Sequence, residues 1–307
     1  MNKLQIGTGG IPLSAENRSI EAGVKRLEEI GLNHLELEFV QSVYLDSKKA
    51  YQTKEKIKAT KISLSIHAPY YINLASDDPK IRGASIIRIE KSLEIGHIIG
   101  AKSVTFHSAF FQKKSSELVR ESVINGLRQI QQDLSDMVDF SQIQIAPELT
   151  GKPTQYGSLV ELISIAKELK IGICIDFAHY FARTNGQYNS YDQFMETFDA
   201  LNKALGPEVL EQLHMHISGI IHSEKGERYH VTFLATLAHY LDYQIQSSIL
   251  ETELDKLTLK NKNGNSLFKW KECLKAIKVA GVGGYLVCES PVLEYDALLL
   301  QNIYDNL

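Results

Sequence analysis

Eight short runs of β-forming residues alternate with longer stretches of helical periodicity, and this alternation constrains the chain most. The runs are Leu4–Gly7, His34–Phe39, Ile62–His67, Ser103–His107, Ile143–Glu148, Ile171–Asp176, Leu213–Ser218 and Tyr285–Glu289. Several are almost continuously apolar, as in Ile171-Gly-Ile-Cys-Ile175, the pattern of parallel strands covered on both faces. Helical segments are predicted at Glu16–Ile30, Ser85–Ile99, Ser115–Val138, Ser158–Leu169, Tyr191–Leu205 and Phe268–Val279. Gly31, Gly100 and Gly206 stand just past three of them, where a left-handed residue closes a helix. With no shift in composition and no Pro/Gly-rich linker, eight βα alternations predict one (β/α)8 TIM-barrel domain over 1–307. The span between strands seven and eight is too long for an ordinary βα unit. Residues 232–260, with an amphipathic LATLAHYLDY stretch, read as an inserted helical segment.

Thirty-three basic against thirty-seven acidic residues give a net charge of −4, so there is no bulk basic field. Charge alone argues mildly against nucleic acid, and such a partner would need a local basic face or a metal site. Cys174, Cys273 and Cys288 are too few for a disulfide framework, and Cys174 and Cys288, inside apolar runs, read as small buried side chains in a reducing compartment. The start, MNKLQIGTGG, has no apolar leader core, and no run approaches a membrane-spanning length. A cytoplasmic protein without a membrane partner is expected. Gly7-Thr-Gly9-Gly10 lacks the spacing of a phosphate loop and reads as a tight βα turn, and no G-x-S-x-G elbow supports a serine hydrolase.

Function in such barrels gathers at the C-terminal ends of the strands. Strand three ends in His67, four in His107, five in Glu148, and six in Asp176 with His179 three residues on; seven ends near His216 and eight in Glu289. Each alone has a bland reading, and Asp176 in particular is placed to cap the following helix. Six strands delivering imidazoles and carboxylates to one rim point instead to a metal cluster for zinc, manganese or iron. His34, His97 and His239 lie in element interiors away from the rim. His214, two residues deeper than His216, reads as a packed neutral imidazole, and His222 as a surface loop residue.

Ser65-Ile-His67-Ala-Pro-Tyr70-Tyr71-Ile-Asn73, Phe106-His107-Ser108, Ala146-Pro-Glu148-Leu-Thr150-Gly151, Ile175-Asp176-Phe-Ala-His179, His216-Ile-Ser-Gly219 and Cys288-Glu289-Ser-Pro291 together resemble the endonuclease IV family. These are metal-dependent apurinic/apyrimidinic endonucleases of base excision repair on a xylose-isomerase-like barrel. The resemblance runs over roughly residues 4–300, outside the insertion. It implies up to three Zn2+, with Mn2+ or Fe2+ as alternatives. His67, His107 and Glu148 would hold the first ion; Glu148 would bridge to a second completed by Asp176, His216 and Glu289. His179 would hold a third with Glu227 and His230. The family's usual element at this last place is an Asp-Arg-His triplet. Lys225-Gly-Glu227-Arg228-Tyr229-His230 departs from it in the manner of a variant associated with archaea.

The implied reaction is hydrolysis of the phosphodiester 5′ to an abasic site in double-stranded DNA, leaving a 3′-hydroxyl and a 5′-deoxyribose phosphate. Glu148 would orient the nucleophile as well as ligate. Tyr70 and Tyr71 match positions that wedge into the DNA stack, with packing on the rim as the equal alternative. Lys113, Lys114, Arg183 and Arg228, near βα loops, are candidate phosphate contacts, and a monomer is expected. The rival on the same barrel is a metal-dependent sugar or keto-acid isomerase or epimerase. It needs only Glu148, Asp176, His216 and Glu289, and leaves the other imidazoles unexplained. A metal-dependent protein that binds abasic DNA without cutting it is the alternative outside catalysis.

Overall fold

The computed structural model describes residues 4–233 and 268–307. In chain order its strands are β1 (Gln5–Gly9), β2 (His34–Glu38), β3 (Ser63–His67), β4 (Ser103–Phe106), β5 (Ala109–Phe110), β6 (Gln144–Pro147), β7 (Gln155–Tyr156), β8 (Cys174–Asp176), β9 (His214–Ile217), β10 (Gly219–Ser223), β11 (Gly226–Val231) and β12 (Tyr285–Cys288). Eight of them form one parallel sheet in the order β6-β4-β3-β2-β1-β12-β9-β8. Beyond its two ends, Glu148 bridges to Cys174, and Leu149 N–H donates to the Cys174 carbonyl at 2.9 Å, so the sheet closes into the expected TIM barrel.

Alternation along each strand sorts the side chains. Leu35, Leu37, Leu64, Ile66 and Val104 are buried in the apolar layer beneath the helices. That burial contributes about 1.5–3 kcal/mol per large side chain. The intervening residues of β2 and β3 are His34, Glu36, Glu38, Ser63, Ser65 and His67, so the barrel interior is polar and must satisfy itself by hydrogen bonding.

The helices are α1 (Ile20–Ile30), α2 (Ser47–Ile57), α3 (Pro79–Ile99), α4 (Ser116–Asp133), α5 (Leu159–Leu169), α6 (Phe177–Arg183), α7 (Tyr191–Leu205), α8 (Glu208–Glu211), α9 (Trp270–Val279) and α10 (Glu294–Asn306). Gly31 and Gly100 close α1 and α3 in the left-handed conformation, as expected. Helix α3 begins six residues before the predicted start, because Asp78 caps it and Pro79 occupies the first turn. Its Gly96 passes so close to the sheet that a Cβ there would lie 2.6 Å from Ile143 and 3.3 Å from Ile66. The sequence pattern did not signal α2, whose SKKAYQTKEKI carries few apolar positions; Asp46 caps it and three buried residues dock it. Helices α6, α8 and α10 also fall outside the predicted segments.

Two antiparallel additions lie outside the barrel order. β5 pairs with β7, and β10 pairs with β11, so the stretch read as a loop after strand seven is a hairpin. Apart from Thr232 and Phe233, the expected insertion at 232–260 lies outside the described residues, as does His239. Among the described residues no helix is long and apolar enough to cross a membrane.

Candidate metal centre

Glu148 follows β6 directly and is fully buried among four imidazoles. Its Oε2 lies 3.1 Å from His67 Nε2, at the end of β3, and 3.4 Å from His107 Nε2, just past β4. Its Oε1 lies 2.9 Å from His179 Nδ1 and 3.6 Å from His216 Nδ1. The carboxylate therefore faces two groups of donors at once. Burial would raise its pKa, but the surrounding imidazoles, His107 foremost, hold it well below the usual range.

Among the described residues five groups of donor atoms lie within 4.8 Å of one another, one of them Cys174 with His214 and His216 below the rim, and three are built from the expected residues. His67, His107 and Glu148 form the first group; Glu148, Asp176, His216 and Glu289 the second; Asp176, His179 and His230 the third. Glu227 joins the third, its Oε2 3.4 Å from His179 Nε2. The nine residues expected from sequence are thus brought together at one rim. Glu227 and His230 arrive on β11, and Gly151 makes room for them: a Cβ there would lie 2.6 Å from Glu227 Cβ and 2.9 Å from His179 Cδ2. Asp176 does cap α6, its Oδ1 accepting from His179 N–H at 2.7 Å, while Oδ2 stays directed at the site.

Several of these atoms fit a cation better than one another. Glu148 Oε1, Asp176 Oδ2, His179 Nε2, His216 Nδ1 and Glu289 Oε2 are buried without a hydrogen-bond partner. A buried polar atom left so is costly unless something positive or protic fills the gap between them. The second nitrogen of His67 is already committed, its Nδ1–H donating to the Ala68 carbonyl at 2.8 Å, so this ring presents its Nε2 lone pair to the site, the arrangement a metal-ligating imidazole needs. His179 Nδ1 lies 3.1 Å from the Leu149 carbonyl and also faces Glu148 and Asp176, while its Nε2 is turned to Glu227. A nitrogen and oxygen set of this kind suits Zn2+, Mn2+ or Fe2+.

The electrostatics report crowding of like groups. Burial raises Glu289 well above the usual carboxylate range, with Asp176 and Glu148 adding to it. Burial opposes protonation of His67, yet Glu148 and Glu38 prevail and lift it to about 10. His179 is lifted likewise against its burial, chiefly by Asp176 and Glu148.

Sequence reasoning missed Glu36 and Glu38. They are two residues apart on β2 and therefore project to the same, inner face. Glu36, Glu38 and Glu289 have oxygens within 4.8 Å of one another, and burial pushes Glu38 up to about 7, with Glu36 and Glu148 adding to it. The signal was present: a strand covered on both faces that carries alternating glutamates must bury them inside the barrel.

The matching family is now decided by a defining pattern that covers residues 24–301. The chain belongs to the xylose isomerase-like TIM barrel family. It is 34% identical over 99% of its length to an uncharacterized protein of Methanocaldococcus jannaschii, covering 98% of that protein. It is 25% identical to a probable endonuclease 4 of Mycoplasma pneumoniae, over 57% of this chain and 60% of that one. Solved structures of similar fold include endonuclease IV from Thermus thermophilus, at TM-score 0.62 and 17% identity over 97% of this chain and 98% of that one. A D-tagatose 3-epimerase-like protein matches equally well, at TM-score 0.63 and 18% identity over 94% and 93% of the two chains. At such identities these barrels share the fold.

The remaining expected residues divide. Tyr70 and Tyr71 are 52% and 65% exposed, and the Tyr70 ring lies 5.4 Å from the His67 ring. Lys113 and Arg228 are exposed. Lys114 is partly spent, its Nζ 2.6 Å from both Asp77 Oδ1 and the Ala75 carbonyl. Arg183 turns inward rather than toward a phosphate: its Nη1 donates to the carbonyls of Thr150, Lys152 and Gln155 and to Thr150 Oγ1. His222 is a correction. It sits buried on β10, edge-on to Phe181 at 4.9 Å, because the expected loop is a strand packed on α6. His214 is packed and fully buried, as expected, and burial lowers its pKa. His34 is likewise a core residue, pushed down to about 3 by burial.

Proposed function

We propose that this chain is a metal-dependent endonuclease that hydrolyses the phosphodiester 5′ to abasic sites in double-stranded DNA, leaving a 3′-hydroxyl and a 5′-deoxyribose phosphate. The observation that carries this reading is the threefold division of donors around one carboxylate. A single four-ligand site accounts for Glu148, Asp176, His216 and Glu289, but not for His67, His107, His179, Glu227 and His230, which converge beside it. Three adjoining cation sites suit a phosphodiester, whose attacking, bridging and non-bridging oxygens all need charge neutralised. Relatives named probable endonuclease 4 support the same reading.

His67, His107 and Glu148 would hold one ion, Glu148, Asp176, His216 and Glu289 a second, and His179, Glu227 and His230 a third. Bound there, the ions would acidify water and neutralise phosphate charge, with Zn2+ as the expected metal and Mn2+ or Fe2+ as alternatives. Glu148, with an oxygen toward each of two groups, orients the nucleophile between them. Tyr70, whose ring lies 5.4 Å from that of His67, and its exposed neighbour Tyr71 are the aromatic rings to fill the gap of a missing base. Lys113 and Arg228 are the cations free to meet backbone phosphates. The single-domain organisation over 1–307, a monomeric state and a cytoplasmic location belong to this proposal.

A second reading, sugar or keto-acid epimerisation, is favoured by the Glu148, Asp176, His216 and Glu289 group taken alone and by the epimerase-like neighbours in fold. The deciding experiment gives zinc-loaded protein a duplex with one abasic analogue, beside an intact duplex and the His107→Ala variant. One cut 5′ to the lesion, absent from both controls, supports the endonuclease. An uncut lesion with metal bound overturns it and turns attention to ketose substrates.

A further inference from the structure

We propose that Glu36 is the positioning residue that holds His216 in the one tautomer able to ligate, with Nε2–H directed into the barrel and the Nδ1 lone pair directed to the rim. This rests on reading Glu148, Asp176, His216 and Glu289 as a metal group, and not on the identity of the substrate.

His216 is turned the opposite way from His67. The His67 ring presents Nε2 to the site and anchors Nδ1 on the Ala68 carbonyl. In His216 it is Nδ1 that faces Glu289 Oε1, at 3.3 Å, and Glu148 Oε1, at 3.6 Å. Its Nε2 lies 2.9 Å from Glu36 Oε1, with His214 Nε2 3.2 Å away. With no main-chain carbonyl anchoring that nitrogen, the carboxylate sets where the proton resides.

Glu36 is fully buried and is itself held from three sides. Ser65 Oγ–H donates to its Oε2 at 2.6 Å, and His214 Nε2 lies 2.9 Å from the same oxygen. The hydroxyl proton of Ser65 being so used, Ser65 accepts from His34 Nε2–H at 2.8 Å; His34 Nδ1 lies 2.6 Å from Ser63 Oγ, which also reaches the Asn33 carbonyl at 3.2 Å. His214 Nδ1 is met by Ser103 Oγ at 2.9 Å. Ser65 thus supplies Glu36 Oε2 with a proton, and Glu36 Oε1, which has no other partner among the described residues, is left to face His216. Two neighbouring strands supply Ser63, Ser65 and Glu36, and two more supply His214 with His216, and Ser103. A buried carboxylate is expensive to keep. Orienting a ligand's second nitrogen is a function that accounts for keeping it.

The test uses protein labelled with 15N-histidine, metal-free and loaded with 113Cd2+, read by long-range 1H–15N correlation. The expected spectrum has the His216 proton on Nε2 and cadmium coupling to Nδ1. Glu36→Gln places an amide NH2 against one of the two imidazoles. It should weaken cadmium at this group about 10–100-fold while the other groups keep theirs, and move the His216 proton to Nδ1. Coupling through Nε2 overturns the inference, as does a Glu36→Gln variant with unaltered His216 signals and affinity. If that variant fails to fold, the wild-type spectrum decides alone. No cadmium uptake at this group overturns the metal reading together with the inference; uptake through Nε2 overturns the inference only.

Discussion

Glu148 Oε1 and His179 Nδ1 lie 2.9 Å apart, joining a residue that follows β6 to one that opens α6. Glu148 belongs to two of the three donor groups, and this contact sets it against His179 of the third.

Replacing Glu148 should therefore remove more than one ion. Glu148→Gln keeps the shape and discards the charge. Bound metal should fall by at least two ions per chain, and cleavage on the order of 10²–10³-fold or more. Elemental analysis beside a nicking assay measures both; full metal content would show that Glu148 is not the shared ligand.

Gly151 offers a way to separate the third group from the others. Gly151→Ala pushes a methyl into Glu227 and His179. Metal content should drop by one ion while the first two groups stay loaded, as titration with a competing chelator would reveal.

The metal-free and metal-loaded proteins should respond oppositely to pH. His67 has a folded-state pKa of about 10 against an ordinary 6.5, burial opposing and Glu148 and Glu38 prevailing. A raised value means the folded chain holds the extra proton. Its stabilising contribution is complete below pH 6.5 and is lost as pH rises through about 10. Glu38, raised from 4.5 to about 7 by burial, acts in the same direction over its lower window. Thermal unfolding in chelator should move to lower temperature as pH climbs across this range. Added zinc should stabilise more at the alkaline end, because ligation needs those protons gone. A pH-independent zinc effect would contradict the assignment.

Tyr70 and Tyr71 should matter for DNA and not for metal. Changing both to Ala should weaken binding of abasic duplex about tenfold or more, the scale of lost aromatic stacking, with metal content unchanged. Loss of metal instead would mark them as packing for the His67 region.

Arg183 and Lys113 should part company in salt. Lys113→Ala should reduce the salt dependence of DNA binding by about one phosphate contact. Arg183→Ala, which strips four oxygens of the Thr150–Gln155 segment of their donor, should instead lower stability by about 2 kcal/mol or more. An Arg183 variant of normal stability and weakened binding would reverse the two roles.

The barrel and its rim were legible in the chain because both depend on local periodicity. Runs such as Ile171–Ile175 mark a strand covered on both faces. A residue one step past a strand's end, as His107 and Glu148 are, reaches the rim whatever its helices do. Glycines after α1 and α3 marked their ends for the same local reason. The polar helix α2 escaped notice because its docking rests on three buried residues and a cap, too faint a pattern to register. His222 was misplaced because pairing between β10 and β11, not local character, puts it against Phe181. The sequence by itself determined which residue types stand at the end of each strand, since strand period and strand direction are short-range matters. Only the tertiary structure decided that Arg183 turns inward, that Glu148 divides its oxygens between two groups, and that Glu36 lies beneath His216. Those relations join strands far apart in the chain, and their distances arise only when the sheet closes.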